Sequence, residues 1–142
     1  MSAAPPSASN APSNALHYAL WGVQALLALA FVMAGAMKAT QPIDVLLAKG
    51  MGFVAYRPEG LVRFIGVSEL LGGIGLVVPA LTRVQPRLTG VAAAALAVVM
   101  VLAVGEHAMH DGVAAGAPAA VLGLLCAFVA WGRLVRAPIP AR

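Results

Sequence analysis

A carboxylate inside a long apolar run is the feature of this sequence with the clearest chemical meaning. Glu69 lies within Arg63–Pro79, a stretch that after Arg63 is otherwise apolar apart from one serine and contains four glycines. An ionised group at the centre of a membrane-spanning helix costs about 2.5–3.5 kcal/mol on insertion scales, so such groups usually have a structural or functional role. Two interpretations stay open: Glu69 exchanges a proton or binds a ligand, or it is a paired structural carboxylate that fixes helix register.

The segment Glu106–Asp111 carries two carboxylates and two histidines at helical spacing. Glu106 and His110 are four residues apart, as are His107 and Asp111, so each pair shares one face of a helix. The order differs from the His-Glu-x-x-His pattern of zinc peptidases and no third ligand group follows, so His107 and His110 are only weak candidates for a metal site. A solvated helix end and a pH-responsive gate are the other interpretations, since histidine titrates near neutral pH.

The remaining sequence offers little else that points to catalysis. No nucleophile–base pair, phosphate-binding loop or dinucleotide fingerprint occurs, so we expect a protein that is not an enzyme by itself. Cys126 lies in the middle of an apolar run with no cation near it in sequence, which favours a small buried hydrophobic residue over a reactive thiol.

The composition places the chain among membrane proteins. Of its 142 residues 61% are hydrophobic and 10% are charged, whereas soluble domains carry roughly 25% charged residues. The net charge of +4 does not indicate a nucleic-acid partner, because the arginines lie at the ends of apolar runs and form no basic stripe with aromatic residues. The lipid bilayer is the expected partner.

Four apolar runs are long enough to cross a bilayer. They are Leu16–Met37, Phe64–Leu81, Leu88–Gly105 and Val113–Gly132, and about 20 helical residues span the hydrocarbon core. Between the first two runs, Pro42–Gly50 has proline and glycine where a short helix begins and ends. We therefore predict an all-α membrane protein, a four-transmembrane-helix bundle with a short interfacial helix between helices 1 and 2.

The ends of the chain and the basic residues predict its orientation. Residues 1–15 form a predicted disordered tail without a cleaved signal, 16–136 the transmembrane domain and 137–142 a C-terminal tail. Four spans place both termini on one face, which holds five arginines and no acid, whereas the opposite face holds four Lys and Arg residues and all five acids. The positive-inside rule then predicts a multi-pass membrane protein with both termini in the cytoplasm.

The same topology brings the polar residues of different helices to one end of the bundle. Glycines surround Glu69 on its helix face, and small residues allow neighbouring helices to approach closely, so this face is expected to point inward. Lys38 or a hydrogen-bond donor from a neighbouring helix is the predicted partner of Glu69, while Arg63 extends toward the interface. The predicted polar pocket for a proton or ligand consists of Glu69, Arg63, Lys38, Glu106 and His110.

The chain resembles the DoxX-like family of small four-helix bacterial membrane proteins. The resemblance is carried by Phe31–Lys38 at the end of the first run, by Arg-x-x-Gly-x-x-Glu at Arg63–Glu69, by Gly75–Pro79, and by Trp131–Arg133 at the end of the fourth run. It covers roughly residues 16–136.

The resemblance implies an accessory or assembly role more than an activity. The family's namesake is a membrane subunit associated with thiosulfate:quinone oxidoreductase, so redox partners and a quinone are implied, although no cofactor-binding residues are evident here. Distant relatives look like membrane chaperones, which implies client helices as alternative partners. A small oligomeric proton-linked transporter, formed by several copies of the chain, is the other alternative.

Overall fold

The computed structural model describes residues 13–142, and they form an all-α bundle. Four helical spans are long and apolar enough to cross a membrane, as predicted. The predicted tail 1–15 lies largely outside the described residues. In chain order the elements are α1 (Asn14–Thr40), α2 (Ile43–Ala48), a 3-10 turn (Gly52–Ala55), α3 (Glu59–Thr82), α4 (Arg87–His110), a second 3-10 turn (Val113–Gly116), α5 (Ala117–Trp131) and a π-helical segment (Gly132–Arg136). The fourth span, Val113–Arg136, includes the 3-10 turn before α5 and the π-helical segment after it.

Glycines bring α1 and α3 into backbone contact. A Cβ atom added at Gly35 would lie 2.5 Å from the backbone nitrogen of Leu70, and one added at Gly66 would lie 2.7 Å from the Cβ of Lys38. Such close approach is what small residues provide at helix interfaces in lipid. Gly66 is three residues before Glu69, so this contact places Lys38 beside the turn of α3 that carries Glu69. The packing of α1 on α3 therefore positions the charged pair.

The second half of the bundle is attached through α3 and α4. Gly72 packs on Leu96, and Gly75 packs on Ala92, near the tight turn that joins the two helices. Beyond this turn α4 packs against α5, with Gly123 beside Met100. The described residues therefore form two helix pairs, α1 with α3 and α4 with α5, which pack together most closely toward the end that carries the short α3–α4 connection.

The short helix between the first two spans closes the opposite end of the bundle. As predicted, α2 follows Pro42 and ends before Gly50, whose φ of +86° suits glycine. Leu46 of α2 and Val54 of the 3-10 turn pack on Val62 of α3 in a small apolar cluster separate from the main core. This cluster holds the loop that carries Phe53 and Arg57 over the ends of α1 and α3.

Several helices extend beyond the predicted apolar runs; α1 continues to Thr40, and α3 begins at Glu59, five residues before the predicted Phe64. α1 begins at Asn14, earlier than Leu16, because the Ser13 hydroxyl accepts a hydrogen bond from the Leu16 amide and caps the first turn. The segment Glu106–His110, which follows the third predicted run and has helical spacing in the sequence, is the last turn of α4. Side-chain contacts four residues apart, including His107 to Asp111 at 2.8 Å, stabilise this extra turn.

Candidate functional site

A nearly buried ion pair joins the first two spans. The Lys38 Nζ lies 2.5 Å from Glu69 Oε2, and the two side chains are only 12% and 3% exposed. Glu69 is ten residues into α3, so it lies about 15 Å along the helix axis from the first residue. The Lys38 ammonium is also 5.8 Å from the ring centroid of Phe53, which adds a cation–π contact. Each charge is thus neutralised inside the protein.

A second ion pair closes the space between the loop and α4. Arg57 donates to both carboxylate oxygens of Glu106, at 3.0 and 2.5 Å, in the paired geometry typical of a guanidinium. The hydrogen bonds and negative charge of Glu106 raise the pKa of Arg57 above its already high value, so it is charged at any physiological pH. Arg57 was not among the predicted pocket residues. It lies in a turn, where no helical periodicity indicates which way a side chain points.

His110 lies at the outer edge of this second pair. Its Nδ1 is 3.1 Å from the Glu106 carbonyl oxygen and 3.4 Å from Glu106 Oε1, and its ring stacks on Tyr56 at 4.9 Å between centroids. His107 faces Asp111 instead. Among residues 13–142 no group of three potential ligands is arranged to hold a metal ion.

Arg63, like His110, lies outside the wall of the cavity that contains Glu69. Its guanidinium donates to the backbone carbonyls of Lys38 and Gln41, at 2.8 and 2.5 Å, and pairs with the exposed Glu59 at 2.8 Å. These bonds hold the last carbonyls of α1, which favour a positive charge. Arg63 therefore fixes the end of the helix that carries Lys38 and does not line the cavity around Glu69.

The two ion pairs face a cavity between the helix pairs. Its volume is about 740 Å³, within the range of about 300–1,000 Å³ that is typical of small-molecule sites. The polar side chains on its wall are Lys38, Arg57, Ser68, Glu69, Glu106 and His107, and the rest of the wall is mainly apolar. Of the five predicted pocket residues, the cavity brings together three, namely Lys38, Glu69 and Glu106.

A second polar network lies at the other end of the bundle and was missed by the sequence prediction. Arg133, only 3% exposed, donates from Nε to Gln24 Oε1 at 2.5 Å, and Gln24 Nε2 donates to the Leu76 carbonyl at 2.7 Å. The guanidinium also lies 5.4 Å from the ring centroid of Trp21. Gln24, the one glutamine of the first apolar run, could have indicated this network, because an uncharged polar residue in a membrane span usually has a hydrogen-bond partner.

Comparison with known proteins identifies one family. Residues 22–129 match the sequence profile of the family described as DoxX-like. No curated protein and no solved structure matches the chain. The matched region contains both ion pairs and the cavity, whereas Arg133 lies beyond its end.

Proposed function

The chain belongs to the DoxX-like family, and from this premise we propose that it is an accessory or assembly subunit of a quinone-linked membrane redox system. The observation that carries the proposal is the Lys38–Glu69 pair on the wall of a cavity that is mainly apolar. A site of this kind can bind a membrane-soluble molecule, or keep it in place for a partner, without transferring electrons itself. The catalytic groups would belong to the partner subunit.

The proposal includes a location in the cell. The chain is a multi-pass membrane protein with four candidate spans. We place it in the inner membrane by analogy with the DoxX-like family, and both termini in the cytoplasm on the basis of the five arginines at that end. The cavity and both ion pairs then lie in the half of the bundle that faces away from the cytoplasm.

Purification in mild detergent tests the proposed role. We expect the native protein to co-purify with subunits of one oxidoreductase and to support its quinone-dependent activity in membranes. Glu69→Gln should abolish that support while the protein still inserts, because the pair with Lys38 loses its negative member. Glu59→Gln, at an exposed carboxylate, is the matched control. Unchanged oxidoreductase activity in the Glu69→Gln strain would contradict the proposal.

A proton-linked transporter is a second candidate, supported by a different observation. Ionisable groups continue from the depth of Glu69 through Glu106 to His110 at the end of α4. Such a series suits proton transfer between the bundle interior and the aqueous phase. Proton flux into liposomes that is lost in both Glu69→Gln and His110→Ala would support this candidate. Because four helices enclose little volume, solute transport would need a homo-oligomer.

The third candidate, a chaperone that binds client helices along glycine faces, has less support. Gly35, Gly66 and Gly73 are covered by contacts between α1 and α3, and Gly72 and Gly75 are covered by α4. The glycines of the second span are therefore already used within the chain.

A further inference from the structure

We infer that the cavity binds a lipid-soluble molecule with an apolar body and an uncharged, hydrogen-bonding head, which enters sideways from the bilayer between α3 and α4. This inference deepens the proposed function, because it names the class of molecule that the same site would take.

The position of the mouth follows from how α3 and α4 meet. Their contacts at Gly72–Leu96 and Gly75–Ala92 lie toward the basic end of the bundle. On the other side of these contacts the cavity separates the helices. Its wall includes Phe64 on α3 and Val101 on α4, each 69% exposed on the outer surface of the bundle. Residues that line both the cavity and the surface facing lipid mark a lateral opening.

The wall indicates an apolar body for the bound molecule. Besides the polar groups at one end, side chains such as Phe31, Ile65, Met100 and Leu122 contribute from all four long helices. Apolar walls of this kind favour a hydrocarbon or ring system that has left the bilayer without entering water.

The balance of charge on the wall indicates a neutral head. Lys38 is neutralised by Glu69, Arg57 by Glu106, and His107 faces Asp111. An ionic head would enter a site whose charges already have partners, and an unpaired charge in an apolar site is strongly disfavoured. The wall therefore disfavours both a cationic and an anionic head group.

Hydrogen bonding to a neutral head is nevertheless available. An ammonium has three donors, and within residues 13–142 the Lys38 Nζ makes one hydrogen bond, to Glu69 Oε2. The second oxygen of Glu69 can accept a hydrogen bond. A carbonyl or hydroxyl head is matched to these groups, with its apolar body directed along the wall toward the mouth.

Photolabelling in liposomes tests the inference. Three hexadecyl probes carry the same diazirine in the chain and differ only in the head, which is an alcohol, a sulfate or a trimethylammonium. For the purified wild-type protein we expect saturable labelling of Phe64, Val101 or Leu102 by the alcohol, and labelling at least about tenfold weaker by the charged probes. Equal or stronger saturable labelling by either charged probe would overturn the neutral-head inference.

A pair of substitutions on one helix tests the lateral mouth. Val101 lines the cavity, whereas Val98 of the same helix is similarly exposed but lies off the wall. Val101→Trp should reduce saturable labelling by the alcohol probe severalfold, and Val98→Trp should leave it unchanged. Equal labelling in these two variants would show that the mouth is elsewhere, and labelling that no excess of unlabelled hexadecanol displaces would overturn binding in the cavity itself.

Competition then identifies the source of the head group. Displacement of the alcohol probe by decylubiquinone indicates a quinone, and displacement by monoolein indicates a glyceride; either result supports a neutral-headed occupant. Labelling without a co-purifying oxidoreductase would remove the proposed function but keep this inference. A co-purifying oxidoreductase without saturable labelling would keep the proposed function but remove this inference.

Discussion

At the scale of single residues, the Lys38–Glu69 pair is more consequential than the exposed pairs. Both of its side chains are withdrawn from solvent, whereas the Glu59 carboxylate is 64% exposed and Arg57 is 37% exposed. A charge that loses its partner in a buried site keeps its desolvation cost, but an exposed charge is rehydrated. Breaking the Lys38–Glu69 pair should therefore lower the stability of the protein more than breaking either exposed pair.

Lys38→Met is expected to lower the free energy of unfolding by about 3 kcal/mol, because it leaves the Glu69 carboxylate buried without a counter-charge. The double variant Lys38→Met with Glu69→Leu should recover most of this loss. Unfolding titrations in mixed detergent micelles give both values. Glu59→Gln is the control and should change stability by less than about 1 kcal/mol. A double variant no more stable than Lys38→Met would show that the two charges are not coupled.

Arg57→Gln should be less destabilising than Lys38→Met, since the guanidinium is partly exposed to solvent. Its raised pKa means that the pair with Glu106 persists as pH rises through neutrality and beyond. We therefore expect the difference in stability between wild type and Arg57→Gln to be constant from pH 7 to pH 9, measured by the same unfolding titration. A difference that disappears within this interval would exclude a persistent pair.

At the scale of elements, the contact between α1 and α3 determines where Lys38 is placed. A Cβ at Gly66 would lie 2.6 Å from the backbone nitrogen of Ala39, and neither backbone can yield without separating the helices. The contact is therefore sensitive to a single methyl group.

Gly66→Ala should destabilise the protein by about 1–3 kcal/mol, through overpacking of the α1–α3 interface. The matched control is Gly22→Ala in α1, where a Cβ meets nothing within 4 Å. This control should instead stabilise by about 0.5–1 kcal/mol, because alanine has the higher helix propensity. Thermal unfolding followed by helicity compares the two, and equal effects would contradict the close contact.

The Arg133–Gln24–Leu76 chain of hydrogen bonds connects the π-helical segment to α1 and α3. Gln24→Leu should cost about 1–3 kcal/mol, because it leaves the buried guanidinium without one of its acceptors. Addition of Arg133→Met should restore part of the stability. Unfolding free energies of the single and double variants measure this coupling, and additive losses would show that the two side chains act independently.

At the scale of the whole molecule, reactive cysteines introduced at the two ends of the bundle test the predicted orientation. In a Cys126→Ala background, we expect Ala141→Cys to react with an impermeant thiol reagent only from the cytoplasmic side. Lys49→Cys, at an exposed position after α2, should react only from the opposite side. Labelling of intact and permeabilised cells distinguishes these outcomes, and the reverse pattern would invert the orientation derived from the positive-inside rule.

The sequence predicted the architecture better than the candidate site. Length and hydropathy determine each span almost alone, and the glycines around Glu69 indicated which face turns inward. The partners of Arg57 and Arg133 depend on where loops and helix ends meet in space, and no periodic pattern in the sequence indicates these contacts. For the same reason Arg63, six residues before Glu69, was predicted to join the pocket but instead binds the end of α1.

The pairing of charges on consecutive spans has a consequence for biosynthesis. The second span carries a carboxylate that is costly to release into lipid alone, and its counter-ion is on the span synthesised just before it. Membrane integration of the second segment is therefore thermodynamically coupled to the continued presence of the first. The N-terminal hairpin should leave the translocation channel as a unit.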